Sequence, residues 1–200
     1  MSNYQNLAKT VMIDKKNRLI HSDESLLHIG TGRSAFVFRI SSSDKAIKVF
    51  FPEYTHLAEE EAEIYSALQT VNYFPRIYDA GPNYLIIDYI EGSTLFDCVT
   101  NGKRITKEHI NEIDNALLLA ADVGLNPSDI HLRNIFVTSR GEIKLIDVAR
   151  YRQIKDCTQW EDLKKAYYQF YDKYFFVKKI PAFVLNFVAS LYKRRLIPYY

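Results

Sequence analysis

The sequence predicts an α+β protein in two successive parts: a small antiparallel sheet carrying one helix, then a reduced, mainly helical part. Three observations lead there. Between Ser25 and Phe50, three runs of β-branched and aromatic residues are separated by Gly30-Thr31-Gly32 and by a Ser-Ser-Ser-Asp turn, the pattern of a three-stranded meander. Leu57 to Leu68 is rich in Glu and Ala, with apolar residues at helical spacing. Beyond Tyr151 the composition changes, and half of the chain's aromatic residues fall in its last quarter.

Taken in order, residues 1–24 form an N-terminal extension of mixed polar and isolated apolar residues. The sheet part follows at 25–88. Its strands are expected at Leu26 to Ile29, Phe36 to Ile40 and Ala46 to Phe50, and near Arg76 to Asp79 and Tyr84 to Asp88, with the Glu-rich helix after the third. Residues 89–92, Tyr-Ile-Glu-Gly, interrupt an apolar strand with glycine and serve as the connector. The second part spans 93–200. Ser93-Thr94 can cap a short helix through Cys98, and Thr106 a long one with Ile110, Ile113, Leu117 and Ala120 on one face, ending at Gly124. Spacing through Trp160, Leu163, Tyr167, Phe170 and Tyr174 predicts the core of a small helical lobe, and Pro181 precedes a last apolar helix from Ala182 to Leu191.

Two hundred residues of ordinary apolar and charged content suffice for one domain or two small lobes, and argue against disorder. A net charge of +2 neither requires nor excludes an anionic partner. Cys98 and Cys157 lie far apart without Cys-x-x-Cys or Cys/His spacing, so they read as reduced thiols with no disulfide or zinc role. Met1 to Leu19 lacks the apolar core of a secretory signal, which predicts a cytoplasmic protein.

Chemistry-bearing residues concentrate after the long helix. Asp129-Ile-His131-Leu-Arg-Asn134 is followed by a strand-like run, a Gly141 turn and Ile-Lys-Leu-Ile-Asp147. That layout suits phosphoryl transfer, because one Asp can sit beside an attacking hydroxyl while the Asn and second Asp offer oxygen ligands to Mg²⁺. Alone, an Asp and an Asn five apart also serve as turn residues. Gly30-x-Gly32-x-x-Ala35-x-Val37 lets backbone N–H groups approach phosphate oxygens, or simply marks a hairpin turn with positive φ. Lys48 stands between apolar neighbours on a strand, so its ammonium needs a partner. Glu61 is chosen over Glu59, Glu60 and Glu63, since Ile64 and Tyr65 would then dock the helix.

Together, Gly30-Thr31-Gly32, Ala46-Ile47-Lys48, Glu61, Asp129 with Asn134, and Asp147 resemble the protein-kinase-like superfamily in order and approximate separation, from about Ser25 to Arg150. The resemblance implies a two-lobed fold, ATP and Mg²⁺ as cofactors, and a role for each residue. Gly30, Gly32 and Ala35 would cover the ATP phosphates, Thr31, Val37 and Ala46 would belong to the same nucleotide-binding site, and Lys48, paired with Glu61, would hold the α and β phosphates. Asp88, Tyr89, Ile90 and Glu91 would face adenine. Asp129 would be the catalytic base, and Asn134 and Asp147 the metal ligands.

Departures from the family pattern shape the expected acceptor. Pro127-Ser128 replaces the His-Arg pair before the catalytic Asp, so control through a phosphorylated activation loop is not expected. His131 stands where protein kinases usually carry Lys; it either orients the γ-phosphate or braces the loop. This Asp-x-His-x-x-Asn form is similar to that of small-molecule and sugar kinases and of compact bacterial atypical kinases. Val148-Ala149 replaces Phe-Gly, which predicts a short fixed loop, and the usual peptide-docking segment is missing. The first expectation is an atypical minimal serine/threonine-protein kinase; alternatives are a small-molecule or glycan kinase and a nucleotide-binding pseudokinase scaffold. Finally, Lys178, Lys179, Lys193, Arg194 and Arg195 flank the last apolar helix without an acidic residue between them. That helix is either a core element with solvated ends or an amphipathic one resting on anionic lipid at the membrane periphery; nucleic-acid contact is not expected.

Overall fold

The computed structural model describes residues 3–41, 43–194 and 196, and divides into two compact units, Met1–Ile90 and Glu91–Tyr200. Both contain antiparallel sheet and helix, so the α+β expectation holds. Ser42, in the expected Ser-rich turn, and Arg195, in the basic tail, lie outside the described residues, as do 197–200.

In the first unit, α1 (Asn3–Lys9) and a hairpin of β1 (Met12–Ile13) and β2 (Leu19–His21) precede the meander β3 (Leu26–Thr31), β4 (Ala35–Ile40) and β5 (Lys45–Phe50). Helix α2 (His56–Ala67), β6 (Ile77–Gly81) and β7 (Tyr84–Asp88) complete it. The five-stranded sheet runs in the order β3-β4-β5-β7-β6, entirely antiparallel. Alternation assigns its faces. Phe36, Phe38 and Ile40 join Ile47, Val49, Tyr84 and Ile86 in one buried cluster, against which Tyr4, Leu7, Ile13 and Leu19 pack. The N-terminal extension is therefore a layer of the fold, covering an aromatic sheet face that water would otherwise meet. Its short, irregular elements lack the periodicity that would have announced them.

The second unit opens with β8 (Gly92–Thr94), α3 (Leu95–Asn101) and α4 (Lys107–Asp122), and continues with β9 (Ile135–Thr138) and β10 (Ile143–Leu145). Thr94 caps α3 in a reciprocal box with Asp97; Thr106 caps α4, with the His109 ring in the place Glu or Gln more often takes. Gly92 pairs with Thr138, so it belongs to the sheet β10-β9-β8 and not only to a connector. A Cβ there would lie 2.5 Å from the Val137 carbonyl oxygen and 2.9 Å from Thr138 Cα, both backbone atoms. Gly92→Ala is accordingly expected to lower the stability of the second unit by about 1–3 kcal/mol, by forcing the strands apart. A urea-unfolding midpoint equal to that of the parent protein would contradict this packing.

The aromatic tail departs from its expected register. Helix α5 (Gln159–Ala166) runs into a π-helical turn at Tyr167–Tyr171. The wider turn makes Tyr171 follow Tyr167 to the inside, their rings stacked 5.6 Å apart, while Phe170 and Tyr174 face solvent. Tyr167 and Tyr171 bond the backbone of Ile105, and Trp160 Nε1 donates to Asp114 on α4 at 2.6 Å. Helix α6 (Ala182–Lys193) follows, and none of its residues is buried. The alternative of a final core helix is thereby overturned.

Candidate active site

In the first unit, strand register gathers the candidate residues. Val37 pairs with Lys48, and Arg39 with Ala46, so Ala35, Val37, Ala46 and Lys48 share the sheet face opposite the aromatic cluster. Helix α2 turns Ala58, Glu61, Ile64 and Tyr65 inward, and leaves Glu59 and Glu63 exposed. Lys48 Nζ meets both Glu61 carboxylate oxygens at 2.7 Å, with side-chain exposures of 12% and 1%. The pair is thus removed from water yet satisfied, and it fixes a cation above the sheet.

Gly30 and Thr31 end β3, and Gly32 N–H donates to the Ala35 oxygen at 2.9 Å. Neither glycine has positive φ, so the turn explanation is corrected. A Cβ on Gly30 would meet nothing within 4 Å, and one on Gly32 only the Ala35 oxygen at 3.6 Å. No neighbour in the fold requires these glycines; close approach by something outside the chain would. Asp88 and Tyr89 donate their N–H groups to Arg76 and Asp44, and the Asp88 carboxylate accepts from Arg76 N–H and the Tyr78 hydroxyl.

In the second unit, one loop and one hairpin assemble Asp129, Asn134 and Asp147. Asn134, almost fully buried, donates its side-chain amide to the Asp129 carbonyl at 3.2 Å, and its own carbonyl accepts from Ile146 N–H at 2.9 Å. That leaves its Oδ1 as the oxygen these bonds do not engage. Gly141, at φ 80°, turns β9 into β10, which delivers Asp147 beside that loop. Asp129 and Asp147 both adopt φ 60°, a left-handed conformation that Asp tolerates better than most residues.

Surrounding residues fix this geometry. Ser128 is fully buried and donates to the Asn126 carbonyl, so a small, satisfied hydroxyl stands directly before Asp129. Asn126 bonds the backbone of Tyr151 and Gln153, which ties the segment after Asp147 to the Asp129 loop; Val148 is buried beneath it. His131 accepts from Arg133 N–H, and burial lowers its pKa, against the opposing pull of Asp129 and Asp147. Burial thus favours the neutral imidazole. Sequence reasoning missed Arg150, whose Nε lies 3.4 Å from Asp129 Oδ2. Its signal was a cation three residues after Asp147, in an otherwise apolar Val148-Ala149 context.

Two oxygen donors, the Asn134 amide and the Asp147 carboxylate, fit a hard ion such as Mg²⁺, which takes few protein ligands when phosphates and water complete its octahedron. Among the described residues there is no cluster of three or more His, Cys, Asp or Glu arranged to hold a metal by themselves.

A sequence model of the ABC1 atypical kinase-like domain matches residues 50–174, more than half of the chain. The protein named "Putative serine/threonine-protein kinase YrzF" of Bacillus subtilis (strain 168) is 45% identical over 193 residues, covering 94% of this chain and 90% of its own. Aurora/IPL1-related protein kinase 2 of Caenorhabditis briggsae is 33% identical over 116 residues, 51% of this chain and 38% of its own. A third relative, "Probable serine/threonine-protein kinase SCO3848" of Streptomyces coelicolor, is 26% identical over 92 residues, 40% of this chain and 14% of its own.

Proposed function

This chain belongs to the ABC1 atypical kinase-like family, and on that premise we propose that it is an ATP- and Mg²⁺-dependent phosphotransferase acting on an alcohol, with Ser or Thr of a protein as first acceptor. The observation that carries the proposal is the double tie of Asn134, which holds one amide beside the loop of Asp129 and the strand end of Asp147.

Each residue then has a task. Lys48, held by Glu61, binds phosphate oxygens, and backbone N–H groups near Gly30 and Gly32 cover them. Asn134 Oδ1 and the Asp147 carboxylate would hold Mg²⁺, which supplies neutralisation of charge on the phosphates. Asp129 accepts the proton of the acceptor hydroxyl. Arg150 steadies the Asp129 carboxylate, and neutral His131 braces the loop through Arg133.

A second reading, a small-molecule or glycan acceptor, is favoured by one observation: residues 148–158 contain neither helix nor strand and lead directly into α5. Incubation with γ-labelled ATP and Mg²⁺ distinguishes the two acceptors, by label on polypeptide or in the small-molecule fraction. Binding is tested separately. Saturation with ATP and Mg²⁺ at a hundredfold excess over Kd is expected to stabilise the protein by about 2.7 kcal/mol, and EDTA to remove much of that gain. A melting temperature unmoved by ATP and Mg²⁺ would count against the nucleotide.

A further inference from the structure

Helix α6 is apolar apart from a stripe of Asn186, Ser190 and Lys193, yet has no buried residue. The apolar face of such a helix ordinarily meets a protein core or lipid. Phe183 is 73% exposed, Phe187 62% and Val188 45%, and Phe175 and Val177 just before it are more open than most core residues ever are. Phe183, Phe187 and Arg194 are four and seven positions apart, and so lie along one face. The helix is nonetheless held to its unit. Asn186 accepts from Arg133, the Tyr192 hydroxyl donates to Asp162 at 2.8 Å, and Ile180 N–H donates to the Val99 carbonyl. The phenylalanine row is thus displayed by an anchored element, and scattered single exposure does not describe it.

Charge identifies what covers it. From Lys173 onward the sequence has no Asp or Glu, and the exposed cations Lys173, Lys179, Lys193 and Arg194 stand among the exposed aromatics, with Arg195 beyond the described residues. A second copy docking by the same face would oppose like charges. No helix among the described residues is long and apolar enough to cross a membrane. An anionic bilayer surface answers both features, since headgroups meet the cations while Phe rings enter the acyl boundary. We propose that α6, with the preceding Phe175-to-Lys179 segment, is a docking surface for anionic phospholipid. It stands independently of the catalytic reading.

The test uses the full chain and sedimentation with vesicles of phosphatidylcholine alone or mixed with phosphatidylglycerol. Partitioning is expected only with the anionic vesicles, and should fall as salt is raised. Lys193→Gln with Arg194→Gln should weaken it by roughly an order of magnitude or more, from about 1 kcal/mol per cation, and Phe183→Ser with Phe187→Ser at least as much, both without loss of the ATP-induced thermal shift. Phe187→Trp should give blue-shifted emission on anionic vesicles, against the background of Trp160, the one natural tryptophan and a buried one. Equal partitioning onto neutral vesicles, wild-type partitioning by the double variants, or no spectral shift overturns the proposal. So does a concentration-dependent dimer that the Phe double variant abolishes in the absence of vesicle binding, which would assign the face to a second copy.

Discussion

Asp129→Asn is expected to lower phosphate transfer by at least about 10²- to 10⁴-fold while leaving nucleotide affinity within about tenfold, because the carboxylate acts on the hydroxyl proton and not on ATP. Asn is the informative substitute here. Asp129 sits at φ 60°, where Asn is among the few residues at ease, so backbone strain is not added to the lost base. The amide also keeps an oxygen within reach of Arg150. Single-turnover transfer from labelled ATP, beside a nucleotide titration, separates the two quantities. Unaltered turnover would remove the residue from its assigned role; unaltered binding without transfer in the parent protein would instead favour a pseudokinase scaffold.

Lys48→Met should cost about 3–5 kcal/mol, since it strands the Glu61 carboxylate at 1% exposure without its cation. Set against typical native stabilities of about 5–15 kcal/mol, that loss is enough to unfold much of a small unit. Loss of activity in this variant alone would therefore be ambiguous. Pairing it with Glu61→Leu resolves the matter, because replacing both charges with apolar groups is expected to recover most of the stability but none of the phosphate binding. Urea unfolding of the two single variants and the double gives the coupling energy. Additive losses would mean that the ion pair contributes nothing beyond its separate partners.

What the sequence revealed followed from strong periodicity and from residues with few alternatives. Three meander strands, the inward choice of Glu61 on α2 and the Thr106 cap of α4 were legible, because alternation, a buried lysine's need for a partner and capping chemistry each restrict the answer locally. Three features were not. A π-turn inserts a shift of phase that spacing counts cannot detect, so Phe170 and Tyr174 were assigned inward although Tyr171 takes that place. Gly92 read as a breaker, yet its lack of a side chain admits the Val137 backbone. Arg150 was overlooked, since its link to Asp129 arises only when the two loops are stapled through Asn126.

The order β3-β4-β5-β7-β6 also bears on how this protein should be trimmed for study. The stretch that aligns with the family begins at Phe50, the final residue of the middle strand. A fragment cut at that point discards β3, β4, Lys48 and the whole helix-and-hairpin layer, and leaves β7 with a bare hydrogen-bonding edge. Such an edge is a template for self-association, so insolubility of the shortened piece would reflect the scissors and not the protein.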